Sequence, residues 1–199
     1  ISIEGIYSHL SSADEDNALD PKSITQLQRL RFNELLKQLN LDRSNEIKIH
    51  LANSAGMLLD KHFHFHMVRV GLSMYGYSPL AKIDKNLLLN PALFLKVKVA
   101  FIRTIDKGVS VSYGGKFVSC RKTKLAVLSI GYADGVPRNL SGKINAIHKN
   151  KFYPQVGSIT MDQMMVDITD SNEIKVGSTM ILLGSDGDKT ISPLDWARE

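Results

Sequence analysis

The side chains best placed for chemistry are tyrosines, histidines, an arginine and a serine near glycine turns. Tyr113 sits in Ser-Val-Ser-Tyr-Gly-Gly, between a turn and a flexible Gly-Gly. Its ring could pack on a β core, and residue physics alone favours packing. Tyr132 sits in Gly-Tyr-Ala-Asp-Gly, where two glycines allow a sharp turn or a close backbone approach. Met161, Asp162 and Gln163 lie in a methionine-flanked strand, with Asp162 a candidate turn former. His9 ends a strand beside Ser8, Ser11 and Ser12, and a lone histidine is usually structural or solvent-facing. His62, His64 and His66 alternate, which on a strand puts them on one face where they could build a metal site. Such a site needs carboxylate or cysteine partners that the sequence does not place, so no metal is assigned. Ser54 and Gly71-Leu72 offer a hydroxyl and backbone N–H groups able to cradle a phosphate.

The elements that must position these residues fall into two textures. Up to about residue 80, strand and helix alternate. GIYSH (5–9) reads as a strand followed by the polar cluster SSADED. Asp20-Pro21 reads as a helix cap, and Ile24, Leu27, Leu30, Leu35 and Leu39 follow near helical spacing. EIKIHLANS (46–54) reads as a second strand, AGMLLDK as a short helix and HMVRVGLSMYG (66–76) as a third strand. That order implies a parallel sheet with helical crossovers, whose chemistry sits at the strands' C-terminal ends. His9, Asn53-Ser54 and Arg69-Val70-Gly71 lie at or near those ends. Pro79 and Pro91 bracket a connecting segment, and from Ala92 onward the signals are all strand. LKVKVAFIRTI, KLAVLSIGYA, INAIHKN, MMVDIT and STMILLG are separated by Gly-containing turns.

Bulk properties narrow the function classes. The 199 residues suffice for one ordinary domain or two small ones. Hydrophobic content of 43% and charged content of 23% are those of a globular chain with no membrane-length apolar run. The net charge of +5 comes from scattered lysines and no nucleic-acid motif accompanies it, so neither nucleic acid nor membrane is an expected partner. Cys120 is the sole cysteine, so no intramolecular disulfide forms and a cytoplasmic, reducing location is expected. The first ten residues lack signal-peptide character and read as a strand in progress, as in a fragment.

Each chemical signal is weak alone. Together, IYSH, HLANSAG, VRVGLSMYG, VSYGG, GYADG and GSITMDQ, in that order and spacing, resemble alanine racemase from the first residues to about Asp167. GYADG followed by MDQ is the most specific pair.

The resemblance implies an α/β plus all-β fold: the second half of a pyridoxal 5'-phosphate (PLP)-binding (β/α)8 barrel over 1–88, then a C-terminal β-rich domain over 89–199, truncated at its end. It implies interconversion of L- and D-alanine by two-base proton transfer, supplying D-alanine for peptidoglycan. It also implies a homodimer in which each β domain helps close the partner's site. Tyr113 would be the base that takes the α-proton of L-alanine, and a phenol titrating near 10 needs surroundings that favour its phenolate. His9 would hydrogen-bond that phenol. Arg69 would face the cofactor's ring nitrogen and keep it unprotonated, with His50 in the same polar chain. Ser54 and the Gly71 and Leu72 amides would hold the phosphate, with Asn53 beside them. Tyr132 and Asp162 would line the substrate entry and the Met161 amide would help hold the substrate carboxylate.

The chain also departs from the pattern. The lysine that binds PLP covalently, the carboxylate-binding arginine and a phosphate-binding tyrosine have no counterpart here, so these residues alone are expected to be inactive. Ser158 stands where the pattern has an arginine. Two alternatives remain open: a non-catalytic interaction module with the racemase fold, and a racemase acting on serine or another amino acid.

Overall fold

The computed structural model describes residues 2–15, 17–41, 47–81 and 88–199. Residue contacts divide the chain into two compact units, 1–92 and 93–199. In the first, β1 (Gly5–Tyr7) pairs in parallel with β2 (Lys48–His50), Tyr7 opposite His50. α1 (Ile24–Gln38) makes the crossover that parallel pairing requires. Its cap is Ser23, whose hydroxyl accepts from the Gln26 N–H, and not Asp20-Pro21. Asp20 instead closes a local turn onto the Lys22 N–H. Phe32 and Leu36, one helical turn apart, pack into a core with Leu10, Leu51 and Phe63. The leucines whose spacing marks the helix (27, 30, 35 and 39) and Ile24 stay exposed in this chain.

α2 (Ser54–Leu59) starts at its N-cap Asn53, whose side-chain oxygen accepts from the Gly56 N–H at 3.0 Å. The expected strand over 66–76 does not form. Its extended part makes one bridge, Met67 to His50, between the bonds His66 N–H to Ile49 O and Arg69 N–H to Ala52 O. The Gly71 N–H then goes to the Ser54 hydroxyl, and the chain turns into a 3-10 helix, Leu72–Tyr75. The histidine run is not a strand either. Asp60 caps a 3-10 turn, Lys61–Phe63, by accepting from the His62 N–H at 2.7 Å, so alternation there does not mean one face. The expected strand start at Glu46, Asp16 of the polar cluster and residues 82–87 of the connecting segment lie outside the described residues.

All residues of the second unit are described. Its strands are β3 (Leu95–Ile105), β4 (Ser110–Val111), β5 (Phe117–Val118), β6 (Thr123–Leu128), β7 (Asn145–His148), β8 (Lys151–Val156), β9 (Met164–Asp167), β10 (Thr179–Asp186) and β11 (Lys189–Ile191). The main sheet is antiparallel, in the order β11-β10-β3-β6-β9-β8-β7. β7 returns to β10 through Ile147 and Ile181, closing a ring from β10 to β7 with β11 outside it. Alternate residues such as Ala126, Leu128, Met164, Val166, Met180 and Leu182 fill the interior. β4 and β5 form a separate small hairpin.

Several features of this unit depart from the sequence reading. Met161, Asp162 and Gln163, expected in a strand, lie in the bend before β9. β8 was not expected, because Pro154 argues against a strand and the Lys149-Asn150 turn before it contains no glycine. Both turn residues take left-handed φ values, 46° and 60°, the geometry of a tight hairpin. The unit is also not all strand: α3 (Pro193–Ala197) begins at Ser192 with a reciprocal cap from Asp195.

Candidate functional site

In the first unit Arg69 is a hub. Its Nη1 donates to His50 Nδ1 at 2.8 Å. Its Nη2 donates to Ser8 O at 2.9 Å, His9 Nδ1 at 3.2 Å and Leu51 O at 3.3 Å. The guanidinium also lies 5.1 Å over the Tyr7 ring, which stacks on His50 with centroids 5.1 Å apart. Arginine only donates, so both histidines present an unprotonated Nδ1 to it and carry their proton on Nε2.

Burial, and then the Arg69 charge, hold His50 below its usual pKa of 6.5. The unfolded chain therefore takes up a proton first as pH falls, and the stability of the folded state declines below 6.5. Stability from this residue is full above that value and is lost as pH drops through the folded pKa. His50→Gln is expected to flatten the decline of Tm between pH 7 and pH 5. An unchanged slope in thermal unfolding would count against a neutral His50.

A second group adjoins along the chain. The Ser54 hydroxyl accepts from the Gly71 N–H at 2.8 Å and from the Ser73 N–H at 3.4 Å. Asn53 caps α2 through its oxygen and donates Nδ2 to Leu10 O at 3.2 Å, which fixes where Ser54 sits. Leu72 opens the 3-10 turn and is exposed. The Ser73 hydroxyl is buried with no hydrogen-bond partner among the described residues. The structure thus joins His9, His50 and Arg69 in one network, and Ser54 with Gly71 in another.

The three alternating histidines diverge. His62 Nδ1 contacts Asp60 Oδ1 at 2.6 Å, His64 Nε2 donates to Met57 O at 2.9 Å, and His66 Nδ1 accepts from the Ile49 N–H at 3.1 Å. Among the described residues no three metal-ligating side chains converge.

In the second unit Tyr113 is 70% exposed, so the packing expectation is overturned. It stands at the tip of the β4–β5 hairpin, outside the ring, in a 3-10 turn with left-handed glycines at 114 and 115. Segment 157–161 ties it down and also ties down Tyr132. The Ser112 hydroxyl donates to Ser158 O at 2.7 Å, and the buried Ser158 hydroxyl donates to Tyr113 O at 2.8 Å. The Tyr132 and Ala133 N–H groups donate to Thr160 O and Met161 O, both at 2.9 Å. Tyr113, Tyr132, Arg138, Thr160, Met161 and Asp162 line a cavity of about 220 Å³.

Two residues here escaped the sequence reading. Arg138 follows Tyr132 by six positions, and a cation so close to a glycine turn was the available signal. Tyr7 is the last residue of β1, which stops two positions short of the expected end at His9, and the period-two spacing to His9 in the expected strand was the available signal.

Family models match both units: "Alanine racemase, N-terminal domain" over residues 1–79 and "Alanine racemase, C-terminal domain" over 92–199. An alanine racemase of Prochlorococcus marinus is 50% identical over 197 residues, covering 99% of this chain and 51% of the relative. One from Nostoc sp. is 40% identical, covering 99% and 50%. The crystal structure of alanine racemase from E. faecalis matches with a TM-score of 0.82 and 30% identity, covering 98% of this chain and 50% of that one. The Bartonella henselae enzyme with covalently bound pyridoxal phosphate matches with a TM-score of 0.75 and 34% identity, covering 92% and 48%. The chain spans about half the length of the curated relatives it matches.

Proposed function

Because the chain belongs to the alanine racemase family, we propose that it forms part of a PLP-dependent enzyme interconverting L- and D-alanine, with its racemase activity belonging to the whole protein. Residues 1–88 are assigned to the barrel and 89–199 to the β domain. The observation that carries this reading is the exposed Tyr113 phenol set beside Tyr132, Arg138 and Asp162 around one cavity.

The residues present suit PLP. The Ser54 hydroxyl and the Gly71 N–H meet at the start of α2, and the buried, unpartnered Ser73 hydroxyl adds polar capacity beside them. The Ser54 O–H and the Leu72 amide fit a phosphate, and the Gly71 amide would exchange its bond to the Ser54 hydroxyl for one to the phosphate, with Asn53 fixing Ser54. Arg69 would face the ring nitrogen, since a permanently charged donor suits an unprotonated acceptor. PLP, when bound, supplies the electron sink that makes an amino acid's α-proton removable.

The chain's own groups do the rest. Tyr113 Oη takes the α-proton of L-alanine. His9, with Arg69 engaging its Nδ1, has its Nε2–H free to donate to a phenolate, which favours the charged form of the base. Tyr132, Arg138 and Asp162 line the entry, and the Met161 amide contributes to carboxylate binding. A phenol as exposed as Tyr113 needs another surface to exclude water before it works as a base. This supports a homodimer in which the β domain completes the partner's site.

Peptidoglycan supply and a cytoplasmic location, the latter in keeping with the single cysteine, belong to the same proposal. Among the described residues no helix is long and apolar enough to cross a membrane.

The test is D-alanine formation from L-alanine by the whole protein with added PLP. No turnover with PLP bound would overturn the reading. Ser54→Ala is expected to weaken PLP binding about tenfold, the cost of one hydrogen bond to a charged group. Equilibrium dialysis checks this, and unchanged affinity would remove Ser54 from the phosphate site.

A further inference from the structure

Tyr113 stands on a weak support. Its hairpin has two residues per strand, and two left-handed glycines follow it. Such a backbone has many conformations to choose from unless something ties it. Two bonds do so, one on each side of the Ser112–Tyr113 peptide. The Ser112 hydroxyl reaches Ser158 O and the Ser158 hydroxyl reaches Tyr113 O. The two segments are pressed together, since a Cβ at Gly157 would lie 2.8 Å from Val111 O and 3.0 Å from Ser112 Cβ. Ser112 itself is held at φ 66°, ψ −179°, a region that favours glycine, so the contact maintains a strained backbone. Two residues further along, the same segment receives the Tyr132 N–H at Thr160 O.

We propose that the reciprocal Ser112–Ser158 hydroxyl pair is a positioning device for Tyr113, which lets segment 157–161 set the spacing of the two tyrosines. It rests on the reading of Tyr113 as the proton acceptor. Ser158 stands where the resembled pattern has an arginine, so this chain gives that position a buried hydroxyl aimed at the Tyr113 backbone. Neither serine is placed against the substrate, and both act through where the phenol stands. Proton transfer is steep in geometry, while the Tyr132 side of the cavity keeps its own ties to Thr160 and Met161.

The test compares Ser158→Ala and Ser112→Gly in the whole protein. The expected result is a drop in kcat of about threefold to tenfold, the worth of one neutral hydrogen bond, with KM unchanged. Deuterium exchange at residues 112–116 is expected to quicken in both variants. Ser112→Gly is also expected to keep or raise Tm, because glycine relieves the φ while removing the hydroxyl, so lost rate cannot be assigned to lost folding. Unchanged kcat, or unchanged exchange at 112–116, in a well-folded Ser112→Gly protein would overturn the proposal. Quickened exchange beside a wild type that binds PLP without racemising would overturn the racemase reading and leave the tie standing.

Discussion

Replacing Tyr113 with phenylalanine is expected to slow racemisation about 100-fold to 10,000-fold, the range typical of a lost general base. One oxygen is removed and the ring is kept. Because the side chain is 70% exposed, stability should stay within about 0.5 kcal/mol of wild type. The two enantiomers of alanine are equal in free energy, so kcat/KM must fall equally in both directions. Directionality shows instead in isotope exchange. In heavy water the variant should no longer exchange the α-hydrogen of L-alanine at an appreciable rate. It should still exchange that of D-alanine through the second base, the lysine that the resemblance implies for the whole protein. Wild-type exchange of L-alanine in the variant would sink the assignment of Tyr113 as the base.

Gly131→Ala should be strongly disruptive to the second unit. The φ of Gly131 is −149°, which any residue adopts, so conformation is not the obstacle. Contact is: a Cβ there would lie 2.2 Å from Thr160 O and 2.4 Å from Met161 O. Both are backbone atoms already engaged by the Tyr132 and Ala133 N–H groups, so neither can give way without breaking one of those bonds. The expected cost is about 3 kcal/mol, at the upper end for overpacking. Thermal unfolding should register it as a fall of more than about 10 °C for a unit of this size. Gly135→Ala is the control. Its φ is 97° but nothing lies within 4 Å, so strain alone should cost about 1–2 kcal/mol. Equal Tm values for the two variants would show that close approach at Gly131 is not what holds GYADG against ITMDQ.

Local pattern revealed the elements and missed the ties between them. β1, β2 and α1 were readable because alternation and helical spacing are local, although the helix's marker leucines proved to be its exposed ones. The HFH alternation misled because Asp60, a residue before the run, caps a 3-10 turn and removes the strand on which alternation has meaning. The third strand failed at Gly71, whose amide is claimed by a serine 17 positions earlier. The motifs VSYGG, GYADG and ITMDQ were recognisable separately. That Ser158 grips Tyr113 across 45 positions has no local signature, since the bond joins the tip of a separate hairpin to the segment that follows β8.

That ring has a kinetic consequence. β10 pairs with β3, some eighty residues earlier, and with β7, so the last long strand completes the circle. A chain emerging from the ribosome can form the β6–β9–β8–β7 run early, but the circle must wait until Asp186 has appeared. Until then β3 and β7 each present an unpaired edge, the condition under which nascent chains adhere to one another. Chaperone dependence should therefore peak late in synthesis and end abruptly once β10 is released.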